Sequence, residues 1–242
     1  METCDSCGQW GAATSCPTEQ VCTGTSCALP PPPVLVQSAQ SPGNPPTDPI
    51  TIPYYSAQTA GDVNVVVVEL FNDDAGYAGA PSVTDTSGNA YTSLGVITGA
   101  IYYAGWEACI FVAPNIKAAA AGANTVSVSA SATSSLVDLY EYSGVATYEA
   151  LGTGSGAAPP ASWTILHTSG SNEIVIASFG SPYGTEGTPS GWSFLNGWTF
   201  GPNSSGGAGV QAQTLAMPES NVNVSSMVSA DQWVSVAIGL IP

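Results

Sequence analysis

The sequence predicts an all-β protein, a two-sheet β-sandwich of jelly-roll or Ig-like type behind a disulfide-rich N-terminal extension. Three observations carry that expectation. From about residue 50 onward, β-branched runs alternate with Gly, Pro, Asn and Asp at short, fairly regular intervals, which is the all-β pattern. About a dozen such runs fit the chain, more than one twisted sheet usually carries, so two sheets packed face to face are expected. Finally, five of the six cysteines crowd the first 27 residues.

The head, residues 1–27, holds Cys4, Cys7, Cys16, Cys22 and Cys27, while Cys109 stands alone far along the chain. An even set at close spacing, in a chain poor in salt bridges, predicts disulfides made in an oxidising setting, extracellular or at the cell surface. The rival is a zinc site on Cys4 and Cys7, but no second C-x-x-C pair accompanies them and the one histidine, His167, is remote. The opening METCDSCGQW has neither the basic nor the apolar region of a secretory signal, so a leader already removed or an unconventional export route is expected.

A spacer follows over residues 28–49. Pro30 to Pro33 favour a stiff polyproline segment. Behind it comes the short apolar strand Val34-Leu35-Val36, then a second turn-rich stretch, Ser41 to Pro49. Fully extended at ~3.3 Å per residue the spacer reaches ~70 Å, against a radius of gyration near ~17 Å for the remaining domain. The strand can therefore add to a sheet edge of its own domain or of a neighbour.

Residues 50–242 are expected to form the sandwich. Residues 62–71 make a near-continuous apolar run, the mark of a central strand buried on both faces. Strands at 82–85 and 90–94 flank the turn residues Thr86-Ser-Gly-Asn89 and predict a hairpin. Further strands are expected near 100–113, 124–131, 135–143, 162–168, 172–180, 192–200, 207–216, 221–229 and 232–241, with a short helical turn at 116–123. Along 102–112, period two puts Tyr102, Ala104, Trp106, Ala108, Ile110 and Val112 on one face and Glu107 with Cys109 on the other. Cys109 is thus expected to point outward, within reach of a head cysteine. A weak echo pairs Asn124-Thr-Val-Ser-Val128 and Leu136-Val-Asp-Leu139 with Asn221-Val-Asn-Val-Ser225 and Trp233-Val-Ser-Val236. Sandwiches of similar hairpins produce such echoes without duplication, so none is predicted from it.

Charge narrows the functional classes. Seventeen acids face a single base, Lys117, for a formal net charge of -16 in 242 residues. Without cations to neutralise phosphates, nucleic acid and anionic membrane are excluded as partners. Disorder is excluded as well, because charged residues are only 7% of the chain and mean hydropathy is positive. No apolar run approaches the ~20 residues of a membrane-spanning helix.

Val83-Thr-Asp-Thr-Ser-Gly-Asn-Ala-Tyr-Thr92, Phe111-Val-Ala-Pro-Asn-Ile-Lys117, Gly122-Ala-Asn-Thr-Val-Ser-Val128, Glu141-Tyr-Ser-Gly144 and Trp233-Val-Ser-Val-Ala-Ile238 resemble a loosely defined family of bacterial secreted β-sandwich modules. The resemblance covers roughly residues 34–242 and leaves the head unmatched. It implies a secreted sandwich, often joined to other Ig-like or surface domains, and carries no catalytic motif.

Candidate chemistry is sparse. His167 is the only base for a triad and lies in an apolar strand pattern, and Gly152-Thr-Gly-Ser-Gly156 lacks the register of a nucleophile elbow. Glu69, Asp138 and Glu141 fall in predicted strands and could in principle form a glycosidase pair, but seventeen acids produce many accidental pairs. No enzyme activity is expected. Calcium is the one cofactor with candidate ligands, Asp73, Asp74 and Asp85, set against the simpler reading of turn acids. Tyr183, Trp192 and Trp198, with Phe194 and Phe200, could stack on a glycan, set against filling the core.

The expected role is an extracellular structural subunit whose partners are identical copies, joined into fibres or a surface layer by strand addition and disulfides. The competing role is a monomeric carbohydrate-binding or adhesive module.

Overall fold

A computed structural model describes residues 3–4, 14–15, 20–23, 26–41, 48–72, 80–101, 104–130, 134–156, 161–165, 168–181, 193–199, 207–217, 219, 222–226 and 233–242. Among these the chain is all strand and turn, and every strand pairing is antiparallel. The head contributes two minimal pairings, β1 (Thr3–Cys4) with β2 (Thr14–Ser15) and β3 (Val21–Thr23) with β4 (Ser26–Ala28). Cys22 and Cys27 stand directly opposite one another in the second, and Cys27 is disulfide-bonded.

The next eight strands form a first half: β5 (Val34–Gln40), β6 (Ile50–Pro53), β7 (Val63–Asn72), β8 (Ser82–Asp85), β9 (Thr92–Ile101), β10 (Ala104–Ala113), β11 (Thr125–Ser129) and β12 (Ser134–Ser143). They divide into a five-stranded sheet, β5-β12-β7-β10-β9, and a three-stranded sheet, β6-β11-β8. A second half follows: β13 (Thr147–Gly156), β14 (Ala161–Ile165), β15 (Glu173–Ser181), β16 (Ser193–Thr199), β17 (Gly207–Leu215), β18 (Val222–Ser226) and β19 (Trp233–Ile241). It repeats the plan as β13-β19-β15-β17-β16 and the pair β14-β18.

Matching first strand to first and last to last, the two five-stranded sheets have the same order. Their irregularities fall on the same pairs of strands. In each half the first strand bulges against the last, at Val36 and at Leu151, and β9 bulges against β10 at Leu94 as β16 does against β17 at Leu195. The halves are therefore structural repeats, and the sequence echo set aside above falls on β11 with β18 and β12 with β19. It slips by one residue in the second pair. Register across the sheets matches Glu141, opposite Asn64, to Gly239, opposite Val175, which aligns Leu136 with Val234 and not with Trp233.

Period-two alternation explains the stacking. Val63, Val65 and Val67 of β7 face Ile174 and Ile176 of β15 and Val234, Val236 and Ile238 of β19 in one core shared by the two five-stranded sheets. The opposite faces are covered in turn. Val66, Val68, Cys109 and Phe111 pack on Ile50, Ile52, Val126 and Val128 of the three-stranded sheet, and Val175, Ala177 and Phe179 pack on Ile165 and Val222 of β14 and β18. Four sheets thus lie in sandwich-like layers, with the halves joined through the central one.

Several expectations are corrected. The strands at 82–85 and 92–101 form no hairpin: β8 joins the outer sheet and β9 the inner one, so Thr86–Asn89 is a crossing between layers. No helix forms at 116–123; Ala119 makes an isolated bridge with Gln58. The sequence predicts no strand at 147–156, yet β13 forms there. The spacer is not free either, because Pro33 is buried and the Pro30 carbonyl accepts a 2.7 Å hydrogen bond from Asn172 Nδ2 in the second half. Val34, Leu35 and Val36 open β5, which adds to the sheet edge of its own chain beside β12.

Candidate functional site

A hydrogen-bonded polar cluster closes one end of the first half. Asp85 ends β8, and its carboxylate gathers the turn that follows. Its Oδ1 accepts from the Asn89 backbone N at 2.9 Å, and its Oδ2 from Asn89 Nδ2 at 2.7 Å, Tyr91 OH at 3.0 Å and Asn124 Nδ2 at 3.0 Å. Gln58 bridges the interior, donating to Asn64 Oδ1 at 2.8 Å and accepting from Asn124 Nδ2 at 2.7 Å. Lys117, the only Lys or Arg in the chain, donates through Nζ to the Ser87 and Gly88 carbonyls. Burial and the nearby Asp85 carboxylate raise the Tyr91 phenol well above its usual range. Such a saturated network rigidifies the turn and leaves Asp85 few lone pairs for a cation.

Beside that cluster lies a pair of acids. Asp62, immediately before β7 and 9% exposed, meets the fully buried Glu141 of β12. Glu141 Oε1 accepts from the Thr59 N at 3.2 Å, and its Oε2 from Gln37 Nε2 of β5 at 2.5 Å. Burial first, then the neighbouring Glu141, push the Asp62 carboxyl up to about 6.

The second half holds a second pair. Glu173, first residue of β15 and fully buried, meets Glu149 of β13. Glu149 Oε1 accepts from Ser169 N at 2.9 Å and its Oε2 from Ser169 Oγ at 2.8 Å, while Glu173 Oε2 accepts from Gly170 N at 3.0 Å. Glu173 Oε1 receives no hydrogen bond from an N–H or O–H donor. Burial, with Glu149 adding to it, pushes the Glu173 carboxyl up to about 7.

The remaining candidates disperse. Cys109 is a buried free thiol in the core between β10 and the outer sheet, donating to Glu107 Oε1 at 3.3 Å. This overturns its expected outward position as a disulfide partner: Glu107 and Cys109 do share a face, but a further sheet covers it. Burial pushes the Cys109 thiol far up, away from reactive thiolate. Glu69, Asp138 and Glu141 are all buried, with Glu69 Oε1 accepting from Ser178 Oγ across the central layer. Asp73, Asp74, Tyr183 and Trp192 lie outside the described residues, as do the side chains of Trp198, Cys4, Cys7, Cys16 and Cys22. No group of three or more His, Cys, Asp or Glu that could hold a metal occurs among the described residues, and no helix is long and apolar enough to cross a membrane.

Sequence reasoning missed Asp62, Glu149 and Glu173. The available signal was an acid beside a β-branched run with no basic residue to pair it.

No family model, curated protein or solved structure matches the chain.

Proposed function

We propose that the chain is an extracellular structural subunit, a tandem jelly-roll module that associates with copies of itself by strand addition at the outer edge of β5. The observation that carries this reading is the surface of that edge. β5 ends its sheet, and Val34, Leu35 and Val36 are 59%, 39% and 45% exposed in succession. An apolar edge strand without lysine or other protection is a template for another strand. Its counterpart β13 presents Thr147, Ala150, Gly152, Thr153 and Ser155 instead, none of them a large apolar side chain. One edge of the repeat is sticky and the equivalent edge is not.

Strand order supports the jelly-roll assignment. Numbered within the first half, the strands run 1-8-3-6-5 in one sheet and 2-7-4 in the other, which is two interleaved Greek keys with the fifth strand joined to the sixth. The resemblance to secreted bacterial sandwich modules, the shortage of basic residues and the disulfide at Cys27 agree with an extracellular setting. The non-catalytic reading rests on the sequence, which offers one histidine and one lysine to organise any substrate.

The test is self-association of the full chain by light scattering and negative-stain microscopy, with and without Val34→Lys and Val36→Lys. Wild type is expected to assemble as concentration rises, most readily in acid where carboxylate repulsion falls, and the double variant to stay monomeric. A monomeric wild type at every concentration and pH, or a variant that assembles equally well, overturns the reading.

A further inference from the structure

The two acid pairs occupy the same place in the two repeats. A row across the first sheet runs Gln37, Glu141, Asn64, and the matching row across the second runs Glu149, Gly239, Val175. Asp62 lies two residues before Asn64, and Glu173 two residues before Val175. Asp62 and Glu173 are therefore equivalent, while the partner carboxyl has moved from the last strand to the first. Where the first half has Glu141 the second has glycine, and a Cβ on Gly239 would collide with Glu173 Oε1. The side chain of Glu173 crosses β19 through the space that this glycine leaves.

We propose that Asp62–Glu141 and Glu149–Glu173 are proton-sharing carboxyl pairs, a duplicated latch that holds the first strand of each repeat to its sheet in acid and loosens it as the solution becomes neutral. Two carboxylates in contact cannot both be ionised cheaply in a buried site, so one retains its proton and donates it to the other. The unaccompanied Glu173 Oε1 is where that proton belongs, because every other oxygen of its pair already accepts a bond from Ser169 or Gly170. Facing the first pair are Gln37 of β5, the Thr59 amide and, nearby, the Tyr54 phenol; facing the second are Ser169, the Gly170 amide and the bare backbone of Gly239. Lys117 is held elsewhere by the Ser87 and Gly88 carbonyls.

The sign follows from linkage. Both acids bind a proton more tightly folded than unfolded, so their contribution is complete below the ordinary carboxylate range and is lost as pH rises through about 6 for Asp62 and about 7 for Glu173.

The experiment is thermal unfolding of the full chain between pH 4.5 and 8, for wild type, Asp62→Asn, Glu173→Gln and the control Glu219→Gln, whose exposed side chain removes the same charge. Wild type is expected to lose about 5 °C in Tm across that range. Each pair variant should remove part of the slope and melt above wild type at pH 8, while the control follows wild type. A slope unchanged in both pair variants, or removed equally by the control, overturns the proposal. So does calcium raising the wild-type Tm at pH 8 but not that of Glu173→Gln, which would assign the pair to a cation. Should the variants not fold, infrared titration of wild type decides: a buried protonated-carboxyl band persisting above pH 5 is expected, and its absence refutes the latch.

Discussion

The two repeats share strand order and the strand pairs that bulge, yet they close their ends differently. The first half ends in a hydrogen-bonded network of Gln58, Asn64, Asp85, Tyr91 and Asn124 under a three-stranded outer sheet. At the matching strand position the second half has Val175 where the first has Asn64, and among the described residues its outer layer is the pair β14-β18. Only the central layer, built from both five-stranded sheets, is made equally by the two. What is retained between the repeats is thus the strand order and the buried apolar face, while the polar ends have diverged.

The strongest way to break that comparison is to separate the halves. Val65 is fully buried where β7 faces the second half. Val65→Asp places an unpaired charge there and is expected to cost more than about 4 kcal/mol, a large part of the stability of any single domain. Because one core serves both repeats, far-UV circular dichroism and tryptophan fluorescence should lose their signals in one coincident urea transition. A second transition at the wild-type midpoint would show that the second half stands alone.

How much of this was legible in the sequence follows from the same division. Strands that bury a face announced themselves: residues 62–71, 172–180 and 232–241 are β-branched runs and became β7, β15 and β19. β13 did not, since Thr147–Gly156 carries Gly and Ser in place of large apolar residues and is a strand because β19 pairs with it. The face of Cys109 was legible but its burial was not, because period two says which residues share a side and nothing about whether another sheet lies over it. The duplication left only a trace on β11 and β18, blurred by a one-residue slip between β12 and β19 that exchanges the faces being compared. Glu141 was visible as an acid in a strand. Its partner Asp62 was not, because β7 and β12 become neighbours only through the order of the sheet.

A smaller effect tests how closely the repeats approach. Gly95 follows the bulge at Leu94, and its counterpart after Leu195 is Asn196. The difference has a local cause: a Cβ on Gly95 would lie 2.5 Å from Val236 Cγ2, a fully buried methyl of the opposing sheet. Gly95→Ala forces β9 away from β19 and is expected to cost about 1–3 kcal/mol of overpacking, offset in part by about 0.4–1 kcal/mol from a stiffer unfolded chain. Gly95 is not among the left-handed glycines, so backbone strain adds nothing. A urea midpoint equal to or above wild type would show that the central layer has slack at that contact.

The smallest change makes one repeat resemble the other. Gln37 and Glu149 are equivalent, and Gln37 already donates an amide hydrogen to the carboxylate beside it. Glu149→Gln gives the second half the same donor, directed at Glu173. The amide oxygen can still accept from Ser169, so one of its two bonds there is kept while the like charge next to Glu173 is removed. Above pH 7 the variant should therefore be more stable than wild type by about 1 kcal/mol, the net worth of one hydrogen bond gained in place of a repulsion. Below pH 5 that advantage should vanish, because the proton already held between the two carboxyls performs the same service. Chemical denaturation at the two pH values measures both terms, and a variant less stable than wild type at each would mean that Ser169, and not the meeting of acids, is what Glu149 is placed to hold.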